Sequence, residues 1–458
     1  MSKRIGLNLI EHSSPTGATY LWTHPDDHTD RYKDLSYWVE LAQLLERAKF
    51  DTVFFPDALG VLTTYQNSSD VAVREAMSVP KNDPTYFIPA MASVTSHLGF
   101  TVTCSITYDH PYSLARKMTT LDHLTDGRIA WNVVTSNLKS AALNFGLTDQ
   151  LDHDVRYDRG DEFLEVCYKL WERSWEDDAV IRDRQARIYT DPSKVHDIQH
   201  EGKFFRVPGI HLCEPSAQRT PVLFQAGSSE RGREFAAKHA ECIFLNAITS
   251  EETKFLTADI RRRAEQLGRD PKGIKFYPRL LPVMGTTEEE AKERLADYLS
   301  HVSTEGTLAL VSSWTGIDLS AYKEEELLQF LEKRGSGTQH TADSLHRYDK
   351  DKKWTLAELA KLFAFGGLGG VTAGTPEQIA DYMERFIDET DVDGFNISYM
   401  VRPSGIVEFA EQVVPILQNR GRVQTEYQTG TLRHKLFGSG NQLPADHPGK
   451  QVQLFSIN

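Results

Sequence analysis

The chain has 458 residues, which suffices for one large barrel with insertions or for several smaller domains. Hydrophobic residues make up 40% of it and charged residues 25%, a composition that excludes general disorder. The formal net charge of −14 argues against nucleic acid and anionic membranes as partners, because this charge repels their phosphates.

Two features of the sequence indicate a cellular compartment. The four cysteines are far apart and form no CxxC pair, so we expect reduced thiols rather than a zinc site or disulfides. The apolar run at residues 5–10 is too short for a secretion signal, and no run of about 18 apolar residues occurs. We therefore expect a cytoplasmic protein without membrane spans.

Short apolar runs alternate along the chain with amphipathic helical stretches, which is the pattern of repeated βα units. Eight runs predict strands, at residues 5–10, 52–55, 99–106, 128–134, 222–226, 242–245, 274–283 and 394–397. The predicted helices cover residues 35–48, 89–97, 112–123, 156–171, 229–239, 251–267, 287–302, 376–389 and 406–419. This alternation predicts an α/β fold, specifically a (β/α)8 TIM barrel.

The intervals between these elements predict the domain organisation. Residues 1–421 form one barrel with insertions at about 57–85, 172–221 and 303–371. The last insertion contains a helical piece at 323–333 and a glycine-rich run, which suggests a segment near the barrel mouth, with a lid as one interpretation. Residues 422–458 form a C-terminal tail that packs either on its own barrel or on a neighbouring subunit.

An open doubly wound sheet is the alternative fold, and it normally carries a GxGxxG fingerprint after its first strand. No such motif follows a predicted strand, and the glycines at 366–370 are more typical of a loop. A GxxxxGK[ST] phosphate loop, an HExxH helix and a GxSxG elbow are absent as well.

Polar residues follow four of the predicted strands, at the barrel face where active sites lie. They are Asp57, the segment 107–111, the segment 135–137 and the run Gly227-Ser228-Ser229. The last run leads from a strand into a helix, so its NH groups and hydroxyls suit a phosphate, although Ser229 is equally suited to cap the helix.

Several long runs of the sequence resemble one enzyme family. They include LAQLLERAKFDTVFFPD, TLDHLTDGRIAWNVVTS, HDVRYDRGDEFLEVCYKLW, DPSKVHDI, FQAGSSERGREFAAKHAE and TEYQTGTLRHKLFG. These runs are similar to the nitrilotriacetate, dibenzothiophene-sulfone and long-chain alkane monooxygenases of the bacterial-luciferase superfamily. The resemblance implies a luciferase-like barrel, FMNH2 supplied by a separate NAD(P)H:flavin reductase, and O2 activated as a flavin C4a-(hydro)peroxide. It also implies a homodimer or homotetramer.

The resemblance implies roles for individual residues. The expected flavin contacts are Asp57, Ser136 and Tyr157, and the expected phosphate contacts are Ala226, Gly227, Ser228 and Ser229. The catalytic candidates are His153, Asn137 and Tyr108. The residues alone leave other interpretations open: a helix cap for Asp57, a core aromatic for Tyr157, a turn residue for Ser136 and a solvated turn for His153. Aromatic residues expected to wall the flavin ring, or else to be plain core, are Phe55, Trp131 and Phe395.

The substrate is indicated less directly. Ser13 stands where the alkane enzymes have a cysteine, and Asn137 and Leu310 stand where they have histidines. We therefore favour oxygenation of a small organic substrate at or next to sulfur or nitrogen, with long-chain alkane hydroxylation as the alternative. A deazaflavin-dependent oxidoreductase is a third possibility. A fourth is a metal-dependent barrel hydrolase that would use Asp109, His110 and the cluster 152–154, although the HxH pair usual in such barrels is missing.

Overall fold

The computed structural model describes residues 3–17, 19–227, 229–247, 249–322, 355–367 and 369–454. The strands in chain order are β1 (Gly6–Ile10), β2 (Thr52–Phe55), β3 (Gly99–Ser105), β4 (Ile129–Val134), β5 (Val180–Asp183), β6 (Ile188–Thr190), β7 (His200–Glu201), β8 (Arg206–Val207), β9 (Val222–Gln225), β10 (Cys242–Leu245), β11 (Lys275–Met284), β12 (Val371–Gly374) and β13 (Gly394–Ile397).

Eight of these strands close into one parallel barrel. The order around it is β1, β2, β3, β4, β9, β10, β11 and β13, and β13 returns to pair with β1. All eight coincide with predicted strands to within one or two residues. The predicted (β/α)8 barrel is therefore confirmed.

Helices follow the barrel strands and cover their outer face. They are α1 (Leu35–Arg47), α2 (Asp70–Arg74), α3 (Ile88–Ser93), α4 (Pro111–Leu124), α5 (Lys139–Asn144), α6 (His153–Tyr168), α7 (Glu230–His239), α8 (Ser250–Gln266), α9 (Glu288–Ser300), α10 (Thr304–Thr315), α11 (Leu356–Leu362), α12 (Pro376–Thr390), α13 (Ser404–Glu408), α14 (Val414–Asn419), α15 (Leu432–Phe437) and α16 (Pro448–Gln451). Within the described ranges, none of the helices is both long enough and apolar enough to cross a membrane.

The two faces of the strands form separate cores, because successive side chains of a strand point to opposite sides. Phe54, Phe224 and Phe244 point into the barrel, where their rings stack at centroid distances of 4.2 and 4.8 Å. The neighbouring residues Phe55 and Trp131 point outward into the layer beneath the helices.

Of the two interpretations of Phe55, Trp131 and Phe395, plain core is therefore confirmed and the wall of a flavin ring is wrong. All three are fully buried between the sheet and the helices. Trp131, for example, packs against Phe163 of α6 at a centroid distance of 6.0 Å. The strand period places these aromatic side chains on the opposite face from the barrel interior.

The segment 303–371 contributes three described elements. β12 pairs with the last four residues of β11, which extends past the barrel and is ten residues long. α10 and α11 pack against each other through Leu308, Val311 and Leu359. The helical piece predicted at 323–333 lies outside the described residues. The segment 172–221, predicted as irregular, contains the two short hairpins β5–β6 and β7–β8.

The C-terminal segment closes the amino end of the barrel. Leu432 and Leu436 of α15 join the inner core next to Phe54 and Phe224. The Leu432 backbone NH donates to the carbonyl of Gly127, at the amino end of β4. This part of the tail therefore packs on its own barrel.

Candidate active site

A cavity of about 360 Å³ opens at the carboxyl ends of β4, β9 and β10. This is the barrel face at which the polar residues of the sequence were expected to meet. Its lining residues are Asp57, Ala58, Leu59, Val133, Val134, Thr135, Ser136, Asn137, Leu138, Ala141, His153, Arg156, Tyr157, Gln225, Ala226, Gly227, Ser229, Phe235, Asn246, Trp314, Phe363, Gly366 and Gly367.

The amino terminus of α7 faces this cavity. Ser229 is the N-cap of the helix, and its hydroxyl accepts a hydrogen bond from the NH of Gly232 at 3.1 Å. The capping role considered for Ser229 is thus confirmed, and the same residue also lines the cavity. The positive end of a helix dipole and its free NH groups make this a suitable place for an anion.

Gly227 forms the adjoining turn, and only a residue without a side chain fits there. A Cβ atom on Gly227 would lie 2.2 Å from Nε2 of Gln225 and 2.9 Å from the hydroxyl of Tyr157. Both side chains therefore approach the backbone of this turn closely. We call the Gly227 backbone and the adjoining amino terminus of α7 the phosphate cradle, because a position without a Cβ atom beside free helix NH groups suits an anion.

α6 directs a second set of side chains to the cavity. His153 and Tyr157 are one turn apart on this helix, and their rings are 5.2 Å apart. Nε2 of His153 is 3.3 Å from Oγ of Ser229, and its Nδ1 is 2.8 Å from a carboxylate oxygen of Asp154. Burial raises the pKa of Tyr157, which therefore stays a protonated hydrogen-bond donor at neutral pH.

Ser136 adopts a left-handed backbone conformation directly after β4, with φ of 53°. Its hydroxyl donates to Oγ of Ser105 at 2.9 Å, and its carbonyl accepts a hydrogen bond from Nη1 of the buried Arg156. A non-glycine residue in this conformation costs free energy and persists only when its surroundings hold it. Arg156 and Ser105 supply that support.

Asp57 lies on another side of the cavity, after β2, with Lys81 as its ionic partner. Nζ of Lys81 is 3.7 Å from Oδ1 of Asp57. Burial raises the pKa of Asp57, and the positive charge of Lys81 opposes that change. Asp57 also accepts a hydrogen bond from the NH of Ala58 at 2.8 Å.

An apolar wall and roof complete the cavity. Trp314 of α10 and Phe363, which follows α11, line it from the segment 303–371. Leu138 and Ala141 also line the cavity, and Leu310 packs behind them in a small apolar cluster. Part of the predicted insertion therefore covers the cavity, whereas its movement as a lid stays a prediction.

The residues present fit an FMN molecule. The cradle at Gly227 and the amino terminus of α7 suit its phosphate. Oε1 of Gln225, a buried acceptor in the lining, has no hydrogen-bond partner among the described residues. A buried acceptor without a partner is costly, so a donor on a bound ring system would satisfy it.

The structure brings together most of the residues predicted for the site. Asp57, Ser136, Asn137, His153, Tyr157, Ala226, Gly227 and Ser229 all line one cavity. Ser228 lies outside the described residues. Tyr108 is not part of the lining, since it stacks on Phe145 at 4.7 Å and donates to Gln150 at 3.2 Å. The roles assigned to all these residues stay predictions.

Further residues line the cavity. Arg156 stands three residues after His153 on the same face of α6. Asn246 was not predicted, although it directly follows β10 and the rule that active residues follow barrel strands applied to it as well. No local pattern identified Trp314 or Phe363, because their position depends on how a long insertion folds back over the barrel.

The residues considered for a metal-dependent hydrolase do not gather into a metal site. Within the described chain, the group whose ligand atoms lie close enough to share an ion consists of His24, Asp297 and His301. None of these three lines the cavity. The cavity therefore offers a cofactor seat rather than a set of metal ligands.

Comparison with known proteins agrees with this geometry. The family model of luciferase-like monooxygenases matches residues 16–393. A long-chain alkane monooxygenase of Geobacillus thermodenitrificans is 50% identical over 461 residues, covering 100% of both chains. A dimethyl-sulfide monooxygenase of Hyphomicrobium sulfonivorans is 47% identical over 455 residues, covering 99% of this chain and 94% of that protein.

A solved structure adds a flavin-containing example of the same fold. A riboflavin lyase, crystallised with a modified FMN and its substrate riboflavin, is 37% identical and superposes with a TM-score of 0.90. The match covers 98% of this chain and 100% of that chain. With the family model and the curated relatives, this establishes that the chain belongs to the luciferase-like monooxygenase family.

Proposed function

We propose that this protein uses FMNH2 and O2 to add one oxygen atom to a small organic substrate, at or next to a sulfur or nitrogen atom. The observation that carries the proposal is the cavity at the carboxyl end of the barrel, which is lined both by the phosphate cradle and by the apolar residues Trp314 and Phe363. Such a site anchors a flavin at one end and shields its ring at the other.

The phosphate of FMN would be held by the turn at Gly227 and by the amino terminus of α7, with the Tyr157 hydroxyl as a further donor. His153 would keep the Ser229 hydroxyl oriented, since Nε2 and Oγ are 3.3 Å apart. When bound, reduced FMN supplies the electrons that activate O2.

The remaining side chains control the surroundings of the reaction. Trp314 and Phe363 would exclude water, which otherwise competes with the substrate for the activated oxygen. The pair of Asp57 and Lys81 would fix local charge where Asp57 lines the cavity. Ser136, held by Arg156 and Ser105, would present its backbone to the flavin without rearrangement on binding.

Oxygen transfer to sulfur or nitrogen is favoured by the character of the wall. Leu138 and Ala141 of the wall are apolar, and Asn137 is not an acid or base at neutral pH. A lone pair on sulfur accepts an oxygen atom without losing a proton, so it needs no base in this wall. Long-chain alkane hydroxylation is the second candidate, because the 50% identical relative carries that name.

Partners and compartment form part of the same proposal. FMNH2 would come from a separate NAD(P)H:flavin reductase, since a nicotinamide fingerprint is missing from the sequence. All four cysteines are free thiols, which suits the reducing cytoplasm. A homodimer or homotetramer is supported by the exposed side chains of Ile181, Ile188 and Tyr189 on the hairpin β5–β6.

The test begins with anaerobic titration of the purified chain with FMNH2, followed by mixing with isotopically labelled O2 and a panel of sulfides, amines and alkanes. Mass spectrometry then identifies the product that carries one labelled oxygen atom. A labelled sulfoxide or N-oxygenated product supports the proposal, and a labelled alcohol from an alkane supports the second candidate. Absence of FMNH2 binding and of oxygen uptake contradicts both and favours a deazaflavin reductase.

A further inference from the structure

Three side chains able to bind a metal ion gather outside the active-site cavity, at the carboxyl end of α9. His24 lies in the segment that joins β1 to α1, whereas Asp297 belongs to α9 and His301 directly follows that helix. One ligand atom from each residue lies within 4.8 Å of the other two. We call these three residues the His–Asp–His cluster, and none of them lines the active-site cavity.

The end of α9 places two of these ligands side by side. Asp297 and His301 are four residues apart, and His301 keeps helical backbone angles, so both side chains lie on one face of the last turn. Nε2 of His301 is 3.9 Å from Oδ1 of Asp297, which is beyond hydrogen-bond distance. Within the described chain the His301 ring has no hydrogen bond, so its Nε2 is available as a ligand.

His24 supplies the third ligand from a distant part of the chain. Its side chain is buried, and Nε2 lies 3.2 Å from Oδ2 of Asp297. The ring centroids of His24 and His301 are 4.9 Å apart, so both imidazoles border the same carboxylate. Neighbouring ligand atoms of a tetrahedral zinc site are about 3.3 Å apart, so the three side chains need only a small movement to enclose an ion.

One hydrogen bond of His24 opposes metal binding. Nδ1 accepts from the NH of Asp26 at 3.1 Å, so the ring hydrogen of the neutral imidazole is on Nε2 and points to Asp297. An ion on Nε2 moves this hydrogen to Nδ1 and breaks the bond from Asp26, which costs about tenfold in affinity. Asp26 is exposed, so water can replace the lost acceptor. This cost is small beside the affinity of zinc for several protein ligands.

The charges around the His–Asp–His cluster favour a cation. Among the residues that the structure describes, the two histidines are the ion-pair partners of Asp297, and no lysine or arginine pairs with it. Arg294, three residues earlier on α9, is already paired with Glu290 and Glu408. The Asp297 carboxylate therefore has no permanently charged cation beside it, and a metal ion would supply one.

We infer that His24, Asp297 and His301 bind a divalent transition-metal ion such as zinc, which joins the segment after β1 to the end of α9. Two imidazole nitrogens and one carboxylate oxygen are ligands that zinc prefers, whereas magnesium and calcium prefer oxygen ligands alone. Water completes the coordination, since 58% of the Asp297 side chain is exposed. The site is separate from the cofactor cavity and does not depend on the proposed function.

The bound ion stabilises the start of α10. The Thr23 hydroxyl donates to the carbonyl of His301 at 3.1 Å, and Leu21 shares an apolar cluster with Leu295 of α9, so the two segments are already in contact. α10 begins three residues after His301 and carries Trp314, which lines the active-site cavity. An ion in the cluster therefore fixes the connection from which this part of the cavity wall begins.

The test measures metal binding by the full chain, produced without a polyhistidine tag, treated with EDTA and dialysed into metal-free buffer. Isothermal titration with ZnCl2 should show one ion per chain, and zinc should raise the midpoint of thermal unfolding, because an ion that binds the folded state stabilises it. MgCl2 at the same concentration should have neither effect. CoCl2 should give the visible absorption of a tetrahedral site with nitrogen and oxygen ligands.

Variants of the ligands separate coordination from folding. Loss of an outer partner of a metal ligand already costs about 10- to 100-fold in affinity, so Asp297→Asn and His301→Ala should each weaken zinc binding by about 100-fold or more. Both positions are partly exposed, so the two variants should fold. His196→Ala is the matched control, since it removes a surface histidine paired with one carboxylate, Glu176, and should leave zinc binding unchanged.

Hydrogen exchange followed by mass spectrometry tests the effect on α10. Zinc should slow amide exchange at residues 20–28 and 301–306 in the unsubstituted chain and not in His301→Ala. Failure of the unsubstituted chain to bind zinc, or an unchanged affinity in Asp297→Asn or His301→Ala, would overturn the metal site. Binding that both substitutions abolish, without any change in exchange, would support the site and overturn its effect on α10.

Discussion

Buried polar groups at the two ends of the barrel differ in how completely they are hydrogen-bonded. At the amino end, Arg433 of α15 is fully buried, and its Nε, Nη1 and Nη2 atoms all donate to acceptors, including Glu241 at 2.7 Å and the carbonyl of Pro221 at 3.1 Å. At the carboxyl end, the amide oxygen of Gln225 in the cavity lining is buried without a partner among the described residues.

This difference in hydrogen bonding indicates that one end of the barrel serves stability and the other serves ligand binding. A buried ion pair whose hydrogen bonds are complete holds two parts of the chain in one arrangement. Buried acceptors without partners cost free energy in the empty protein and are satisfied only when a ligand arrives. The amino end therefore maintains the fold, and the carboxyl end is prepared for a cofactor and a substrate.

The largest effect is expected from a substitution that removes the buried ion pair at the amino end. Arg433→Met leaves the Glu241 carboxylate buried without its cation, and we expect the free energy of unfolding to fall by about 3–5 kcal/mol. Urea unfolding followed by circular dichroism measures this change. The double variant Arg433→Met with Glu241→Gln should recover part of the loss, and equal destabilisation of the single and double variants would contradict the explanation.

The next largest effect is expected from a substitution at the carboxyl end that weakens cofactor binding and leaves the amino end unchanged. Gly227→Ala introduces a Cβ atom 2.2 Å from Nε2 of Gln225, which closes the phosphate cradle. We expect FMNH2 affinity to fall by about 10- to 100-fold, the size of a lost charge-assisted hydrogen bond. Anaerobic fluorescence titration measures it. Gly209→Ala is the matched control, because a Cβ atom there meets nothing within 4 Å. An unchanged affinity in Gly227→Ala would place the phosphate elsewhere.

The pH dependence of the unfolding free energy tests the amino end separately, because His239 is buried there. Burial lowers the pKa of His239 to about 4, whereas an unfolded histidine titrates near 6.5. The unfolded state thus binds the extra proton first, so this contribution to stability is complete above about pH 6.5 and is lost as pH falls toward 4.

We expect His239→Gln to reduce the slope of unfolding free energy against pH by about 1.4 kcal/mol per pH unit within that window. Urea unfolding at several pH values measures the slope. His28→Gln, at an exposed position, should leave it unaltered. If the two variants have the same slope, His239 is not the titrating group.

The smallest effect is expected at Ser229, whose side chain both caps α7 and lines the cavity. Ser229→Ala removes the N-cap of α7 and should cost about 1 kcal/mol of stability. Thr287→Ala removes the equivalent cap of α9, which does not border the cavity, and should cost a similar amount. Only Ser229→Ala should also weaken FMNH2 binding. Equal FMNH2 affinities in the two variants would assign Ser229 to capping alone.

Much of the fold could be predicted because each barrel strand has its own local signal in the sequence. Apolar runs such as residues 129–134 are buried on both faces and are followed by polar residues at the functional end. β12 was missed because its four residues pair only with the part of β11 that extends beyond the barrel. That pairing depends on distant chain and leaves no local signal.

The site could be predicted in part for the same reason. Asp57, Asn137 and Gly227 follow strands directly, and a strand end fixes their position. For Phe55 and Trp131 the sequence left a ring wall and plain core both open, and the period of the strand places them in the core.

The closure of the amino end of the barrel by α15 also affects how the protein folds during its synthesis. Leu432 and Leu436 complete the inner core, yet they follow all eight barrel strands along the chain. During synthesis the barrel therefore remains open at its amino end until this late segment has left the ribosome. A chain ending before residue 432 would present the rings of Phe54, Phe224 and Phe244 to water, and its usual fate would be aggregation rather than a smaller working enzyme.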